Sequence, residues 1–223
     1  TQGNQKSSEK AKADLEQILN INSTTKNLST VQSKLGVQFS YNPEPIQVYG
    51  YVIDEDLTFK TYEGDELKEA KDYAIFQAYV KQDYSNNGLP YGEYVELNIN
   101  TNRNTDFFER RKAEHGASLS ELELTIKHFS PKEATIGSKI TEKERSQVKI
   151  NDVEYTRVIY EEVNSKYFKT TKYSEYLYTV QNNRPFAINI SNITTKNRAA
   201  IDPLYDILGT IKYFPIGELP VKT

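Results

Sequence analysis

Apolar and polar residues alternate with a period of two through much of the chain between residues 35 and 193, and this alternation constrains the fold more than any other feature. Val37, Phe39 and Tyr41 alternate with Gln38 and Ser40, while Phe186, Ile188 and Ile190 alternate with Ala187, Asn189 and Ser191. Successive side chains of a strand point to opposite faces, so such segments build sheets with one face buried. Strands are expected over 35–41, 46–53, 57–62, 73–81, 93–99, 147–151, 153–163, 166–171, 174–180 and 186–193. Residues 46–53 (IQVYGYVI) are apolar or aromatic at both phases, as in a strand covered on two sides. Gln181–Pro185 has the turn chemistry of a hairpin connection.

Three segments carry helical spacing instead. Ala11, Leu15, Ile18 and Leu19 predict a short amphipathic helix over 8–20. Over 118–129, Leu119, Leu122, Ile126 and Phe129 share one face, with Ser118 read as the cap and Glu121 as its capping-box partner. A closing helix begins with Asp202 as N-cap and Pro203 at the first helical position, and buries Leu204, Ile207, Leu208 and Ile211. Residues 132–146 are polar and charged and read as a surface excursion. Many strands with one helix in the middle and one at the end define an α+β fold, an antiparallel sheet with helices packed on it. The expected organisation is a polar tether with a short helix (1–33), one α+β domain (34–215) and a C-terminal tail (216–223).

Composition narrows the chemistry. The 28 basic and 31 acidic residues are mixed along the chain and give a net charge of -3. That leaves no excess of positive charge to displace the counterions of a nucleic acid. No apolar run approaches the ~18–20 residues that cross a bilayer, so membrane contact is expected only through a removed N-terminal anchor. Thr1–Lys12 (TQGNQKSSEKAK) has the character of a tether behind a signal peptide or lipid-anchor site. The first residue is not Met, and a processed upstream segment is expected. These features place the protein outside the cytoplasm, secreted or tethered at a bacterial surface or periplasm.

Catalytic groups are scarce. With no cysteine there is no thiol nucleophile and no thiolate metal site. His115 falls in a polar loop and His128 near the end of the 118–129 helix, where a cation is favoured. No Gly-x-Ser-x-Gly elbow occurs, and the Ser-x-x-Lys pairs Ser7–Lys10 and Ser23–Lys26 lie in the tail and a polar linker. Asp54 and Asp56 suit a turn, and Glu161 and Glu162 are adjacent on a strand and so face opposite ways. Asp54, Glu55 and Asp56 could offer oxygen ligands to Ca²⁺ but lack the full loop pattern. Arg110-Arg111-Lys112 reads as the start of a solvated loop. No cofactor, metal or enzyme activity is expected; the alternative is a secreted hydrolase using carboxylates from separate strands.

Tyrosine is the best lead to function. The chain has 17 Tyr and no Trp. Tyr49, Tyr51, Tyr73, Tyr79, Tyr84, Tyr91, Tyr94, Tyr155, Tyr160, Tyr173, Tyr176 and Tyr178 are divided between two readings. Tyrosine fills cores and favours strands, but it is also enriched where proteins bind one another. The loop Asp83–Gly92 (DYSNNGLPYG) joins Tyr84 and Tyr91 to Asn86 and Asn87, a mixture of rigid aromatic and adaptable polar groups suited to a binding loop. These four residues are the candidate partner-binding site. The expected partner is a protein, with carbohydrate as a further class because sugars stack on tyrosine rings.

Leu35-Gly36-Val37-Gln38-Phe39-Ser40-Tyr41 resembles the opening Gly-aromatic strand of the PsbP-like family, named after an extrinsic subunit of the photosystem II oxygen-evolving complex. Asp202–Phe214 (DPLYDILGTIKYF) resembles its closing helix and basic-aromatic end, and the Tyr/Asn-rich hairpin over 174–193 sits between them. The likeness spans about Leu35 to Phe214, with Asn42 inserted between Tyr41 and Pro43 and no tryptophan in that turn. It implies an α/β/α sandwich and an extracytoplasmic, non-catalytic, protein-binding role. No metal-site residue of the family matches a position here.

Overall fold

Two asparagine-rich dipeptides set the longest hairpins. Asn151 and Asp152 have φ of 48° and 65°, and Asn182 and Asn183 have φ of 50° and 60°. Left-handed backbone at both central residues is what a two-residue turn needs to match the twist of its strands, and among residues other than glycine Asn and Asp tolerate it best. The first turn joins β7 (Ser138–Ile150) to β8 (Val153–Asn164), with Ile150 opposite Val153. The second joins β9 (Thr170–Gln181) to β10 (Arg184–Ile193), with Gln181 opposite Arg184. The structure is a computed structural model that describes residues 28–53, 58–80, 95–132, 138–164, 170–193 and 201–217.

The other strands are β1 (Ser29–Ser33), β2 (Val37–Tyr41), β3 (Ile46–Ile53), β4 (Phe59–Glu63), β5 (Ile75–Val80), β6 (Glu96–Thr101) and β11 (Lys212–Tyr213). Eight strands form one sheet in the order β4-β3-β5-β6-β10-β9-β8-β7, and β1-β2-β11 form a second. Every ladder in both sheets is antiparallel. The helices are α1 (Phe107–His115), α2 (Glu121–Phe129) and α3 (Asp202–Leu208).

The period-two pattern sorts side chains onto the two faces of the large sheet. On one face Val48, Phe76, Leu97, Ile188 and Leu177 pack with Val31, Val37 and Phe39 of the small sheet and with Leu204, Ile207 and Leu208 of α3. On the other, Ile126 of α2 covers Val158, Tyr160, Tyr178 and Ala187, with Phe107, Phe108 and Leu124 joining α1 to α2. Gly50 marks the closest approach beneath the first face. A Cβ there would lie 2.7 Å from side-chain carbons of Leu67 and Tyr73, both fully buried.

Several expectations are corrected. Residues 138–146, read as part of the 132–146 excursion, are instead strand: they extend the expected 147–151 strand backward into a 13-residue edge strand, β7, paired with β8 along its length. Its charges at both phases are those of an edge that faces water, where they also discourage pairing with another chain. Residues 166–171 and 174–180 are not two strands; from Thr170 onward they are one, β9. Residues 46–53 bury only Ile46, Val48 and Gly50 fully, and Tyr49 and Tyr51 on the opposite phase stay partly exposed. Residues 107–115 form a helix, so Arg110, Arg111, Lys112 and His115 are helical rather than in a loop.

Helix caps shift by one frame. Both Ser118 and Ser120 begin a Ser-x-x-Glu frame, and Ser120 with Glu123 makes the capping box in both directions. For α3, Ile201 occupies the cap position and Asp202 begins the helix. The predicted helix over 8–20 and the Asp54–Asp56 turn lie outside the described residues.

Candidate functional site

The α1–α2 pair packs over β9 and β10, and the described residues place no helix over β3, β5 and β6 on that same face. There the outward phase is polar and aromatic. Cross-strand register aligns Tyr49, Gln77, Asn98, Asn189 and Tyr176 into a single row across β3, β5, β6, β10 and β9. At about 4.8 Å per strand this row runs roughly 19 Å from one tyrosine to the other. Gln47, Tyr79, Glu96 and Ser191 form the row beside it.

Glu96 organises the face. Its carboxylate accepts from Gln77 Nε2 at 2.8 Å, from Asn98 Nδ2 at 3.2 Å and from Ser191 Oγ at 3.1 Å. An ionised carboxylate only accepts, so it turns the amide nitrogens of Gln77 and Asn98 inward. The Gln77 oxygen is then presented to Tyr51, whose hydroxyl donates to it at 2.8 Å. In the neighbouring pair Asn100 Nδ2 donates to Asn189 Oδ1 at 3.1 Å and leans on the Ala187 carbonyl at 3.4 Å. The amide orientations therefore follow from their fixed partners.

Tyrosine rings frame these amides. Tyr49 and Tyr79 meet edge to face with centroids 6.1 Å apart. Tyr176 stacks on Tyr178 at 5.6 Å and meets Tyr160 edge-on at 5.3 Å. Burial, then the Glu96 charge and neighbouring phenols, raises the Tyr79 pKa. Burial and then Tyr49 and Glu96 raise that of Tyr51, while burial and then Tyr160 push Tyr176 up to about 12. These phenols stay protonated across the physiological range, and Tyr51 donates to Gln77.

The twelve tyrosines thus divide. Tyr73, Tyr155 and Tyr178 are core residues at 0%, 2% and 0% exposure, and Tyr160 is buried beneath α2. Tyr49, Tyr51, Tyr79 and Tyr176 frame the polar face. Tyr173 donates to Glu161 at 3.0 Å near the β7 side. The candidate partner-binding residues Tyr84, Asn86, Asn87 and Tyr91, and with them Tyr94, lie outside the described residues. Gln77, Glu96, Asn98, Asn100 and Asn189 were not singled out from sequence. The signal was present in β6 and β10, where Asn98 and Asn100, and Asn189 and Ser191, recur at period two.

Of the candidate catalytic groups, Asp54 and Asp56 lie outside the described residues, and His128 and Glu161 are already engaged away from this row. His128 packs edge-on against Phe107 and Phe129 at 5.0 and 4.6 Å. Burial, reinforced by Arg111 and Lys132, lowers its pKa to about 4. It is a neutral, half-buried ring, not the cation expected at a helix end, because desolvation here outweighs the helix dipole. Glu161 accepts from Lys143 and Tyr173, and those bonds hold it below the ordinary carboxylate value. On the opposite face, buried Arg157 joins Glu175 and Glu144, and the α3 residue Tyr205 donates to Glu175.

Compared with known protein families and with curated proteins, the chain matches none. Among solved structures it is similar to the solution structure of cyanobacterial PsbP (CyanoP) from Synechocystis sp. PCC 6803, at a TM-score of 0.41 and 9% identity over 86% of this chain and 96% of that one. The PsbP-like resemblance read from the residues is met by this weak likeness, which is one of fold alone.

Proposed function

We propose that this protein is a non-catalytic, extracytoplasmic accessory module, tethered at the cell surface, that holds another envelope component against the open face of its large sheet. Its architecture is read as an α/β/α sandwich in which α1 and α2 form one outer layer and α3, with the small sheet, the other. The observation that carries the proposal is the Tyr51–Gln77–Glu96–Asn98 network. It holds polar groups in fixed orientations on a partly exposed surface framed by Tyr49, Tyr79 and Tyr176. Preorganised groups of this kind lower the ordering cost of binding.

Binding is favoured over hydrolysis because the described carboxylate whose pKa is raised, Asp206, by burial and then by Asp202, lies on α3 on the opposite side of the sheet from the proposed face. A general acid needs a raised pKa. Glu142 is instead held low by Arg145, and Glu161 by Lys143 and Tyr173. Affinity capture from the native envelope tests the proposal, with wild type compared to Tyr49→Ala, Tyr79→Ala and the loop variant Tyr84→Ala/Tyr91→Ala. Loss of capture in the sheet variants, each worth more than about 1 kcal/mol, is expected of binding residues. Undiminished capture by both sheet variants would overturn the choice of face. Cell fractionation checks the location, and recovery with the cytosol would overturn it.

A further inference from the structure

We infer that the ligand of this face is a neutral, polyhydroxylated one, a glycan chain laid across the strands along the Tyr49–Gln77–Asn98–Asn189–Tyr176 row. The inference rests on the reading of the face as a binding surface and narrows what it takes.

The unused hydrogen-bonding atoms carry the argument. Asn98 gives its amide nitrogen to Glu96, and Asn189 gives its amide oxygen to Asn100. The Asn98 Oδ1 acceptor and the Asn189 Nδ2 donor are left with no partner among the described residues. Asn189 is 7% exposed, so its amide is held nearly rigid while it still lacks a partner for its donor. The two residues sit directly opposite each other on β6 and β10. One fixed acceptor beside one fixed donor suits a pair of neighbouring hydroxyls, since a hydroxyl can donate to the first and accept from the second.

Charge selects against other ligands. The carboxylates beside the row are Glu96, which three internal donors engage, and Glu63 of β4, which lies opposite Tyr49 and accepts from Gln47 Nε2 at 3.4 Å; both repel an anionic ligand. The outward row itself consists of amides and phenols, which provide no charge for an anionic headgroup or phosphate. A dry protein interface fits less well, because its core would leave the free amide atoms unpaired unless each met a matching group. Tyr49 and Tyr79, both partly exposed, give carbon surface at one end on which a sugar ring can rest its C–H face, while Tyr176, stacked on Tyr178 and edge-on to Tyr160, closes the other end. Hydroxyls at the ring edge then reach the amides between them.

The test is titration of the full chain with cellotetraose, chitotetraose, xylotetraose and mannotetraose. The readout is tyrosine emission, which no tryptophan masks. Wild type is compared with Asn98→Ala, Tyr49→Ala and Val163→Ser, an exposed position elsewhere on the sheet. Circular dichroism and melting confirm that each variant folds; if Asn98→Ala does not, Asn98→Ser replaces it. Saturable binding of at least one oligosaccharide, weakened about tenfold or more by the Asn98 and Tyr49 changes but not by Val163→Ser, is the expected result. The inference falls if no oligosaccharide binds up to about 10 mM while an envelope protein is captured through Tyr49; the binding-module reading would then stand. If neither oligosaccharide nor protein binds, both fall.

Discussion

The amide of Phe214 donates to the carbonyl oxygen of Gly36 at 3.0 Å, joining the closing segment of the chain to the turn between β1 and β2. Beside it Lys212 and Tyr213 pair with Gln38 and Val37. Two of the three segments that carry the family resemblance, Leu35–Tyr41 and Asp202–Phe214, are therefore adjacent in space. Gly36 has φ of +99°, and a Cβ there would stand 2.4 Å from the Phe214 carbonyl oxygen. Backbone conformation and close approach both require glycine at this position.

Gly36→Ala is accordingly expected to destabilise the protein by roughly 2–4 kcal/mol, combining left-handed strain with a backbone clash. Urea unfolding followed by circular dichroism measures it. A change below about 0.5 kcal/mol would show that the closing strand does not depend on this contact.

The capping frame of α2 is separable by mutation. Ser120 Oγ accepts from the Glu123 amide at 3.2 Å while Glu123 reaches back to the Ser120 amide at 2.7 Å. Ser120→Ala is expected to cost about 1 kcal/mol. Ser118→Ala, exposed and outside the box, is expected to cost less than about 0.5 kcal/mol. Thermal melts of the two variants check the order, and a larger loss from Ser118 would return the cap to the earlier frame.

What the sequence made legible, and what it hid, follows from where each residue faces. β2 was readable because one phase lies against a core, as was the apolar face of α3; β10 is buried on both phases over 184–190 and was readable because its large apolar residues share one of them. β1 was missed because STVQS offers only Val31 as an apolar residue. Only the end of β7, over 147–150, was legible, because water faces an edge strand and charges occupy both phases of its first nine residues. α1 buries Phe107 and Phe108 at its start and then presents mostly charged residues, so no periodic stripe marks it. The site was half legible. Its tyrosines stood out by type, but the meeting of Asn98 with Asn189 depends on pairing between strands about 90 residues apart, which local periodicity does not encode.

His128 makes stability depend on pH. Its folded pKa is about 4 against an ordinary value of 6.5. Above pH 6.5 both folded and unfolded chains carry it neutral, and it contributes nothing to the pH slope. Below 6.5 the unfolded chain takes up the proton first, so stability falls between pH 6.5 and 4 and levels off below. The full effect is at most on the order of 3 kcal/mol, since the ring is partly exposed. His128→Phe keeps the aromatic packing and removes the titration. The difference between wild type and variant in urea midpoints at pH 7 and pH 4.5 isolates it from the carboxylates. Equal losses in both proteins would mean that the ring is solvated enough to protonate in place.

Glu96→Gln tests whether the carboxylate sets the orientation of the face. Gln77 Nε2, Asn98 Nδ2 and Ser191 Oγ all point donors at its two oxygens. A glutamine there replaces one acceptor with an NH2 group, so at least one of these donors must find another partner or turn away. If the amide of Asn98 or Gln77 turns, the face presents a nitrogen where it had presented an oxygen. The expected loss of stability is modest, about 1–2 kcal/mol, because the face is partly open to water. The expected change in binding is larger in proportion, since the surface pattern itself is altered. Side-chain amide resonances of Asn98 and Gln77 should shift in the variant, and ligand capture should weaken with them. Unshifted resonances together with undiminished capture would show that Glu96 merely occupies the face and does not order it.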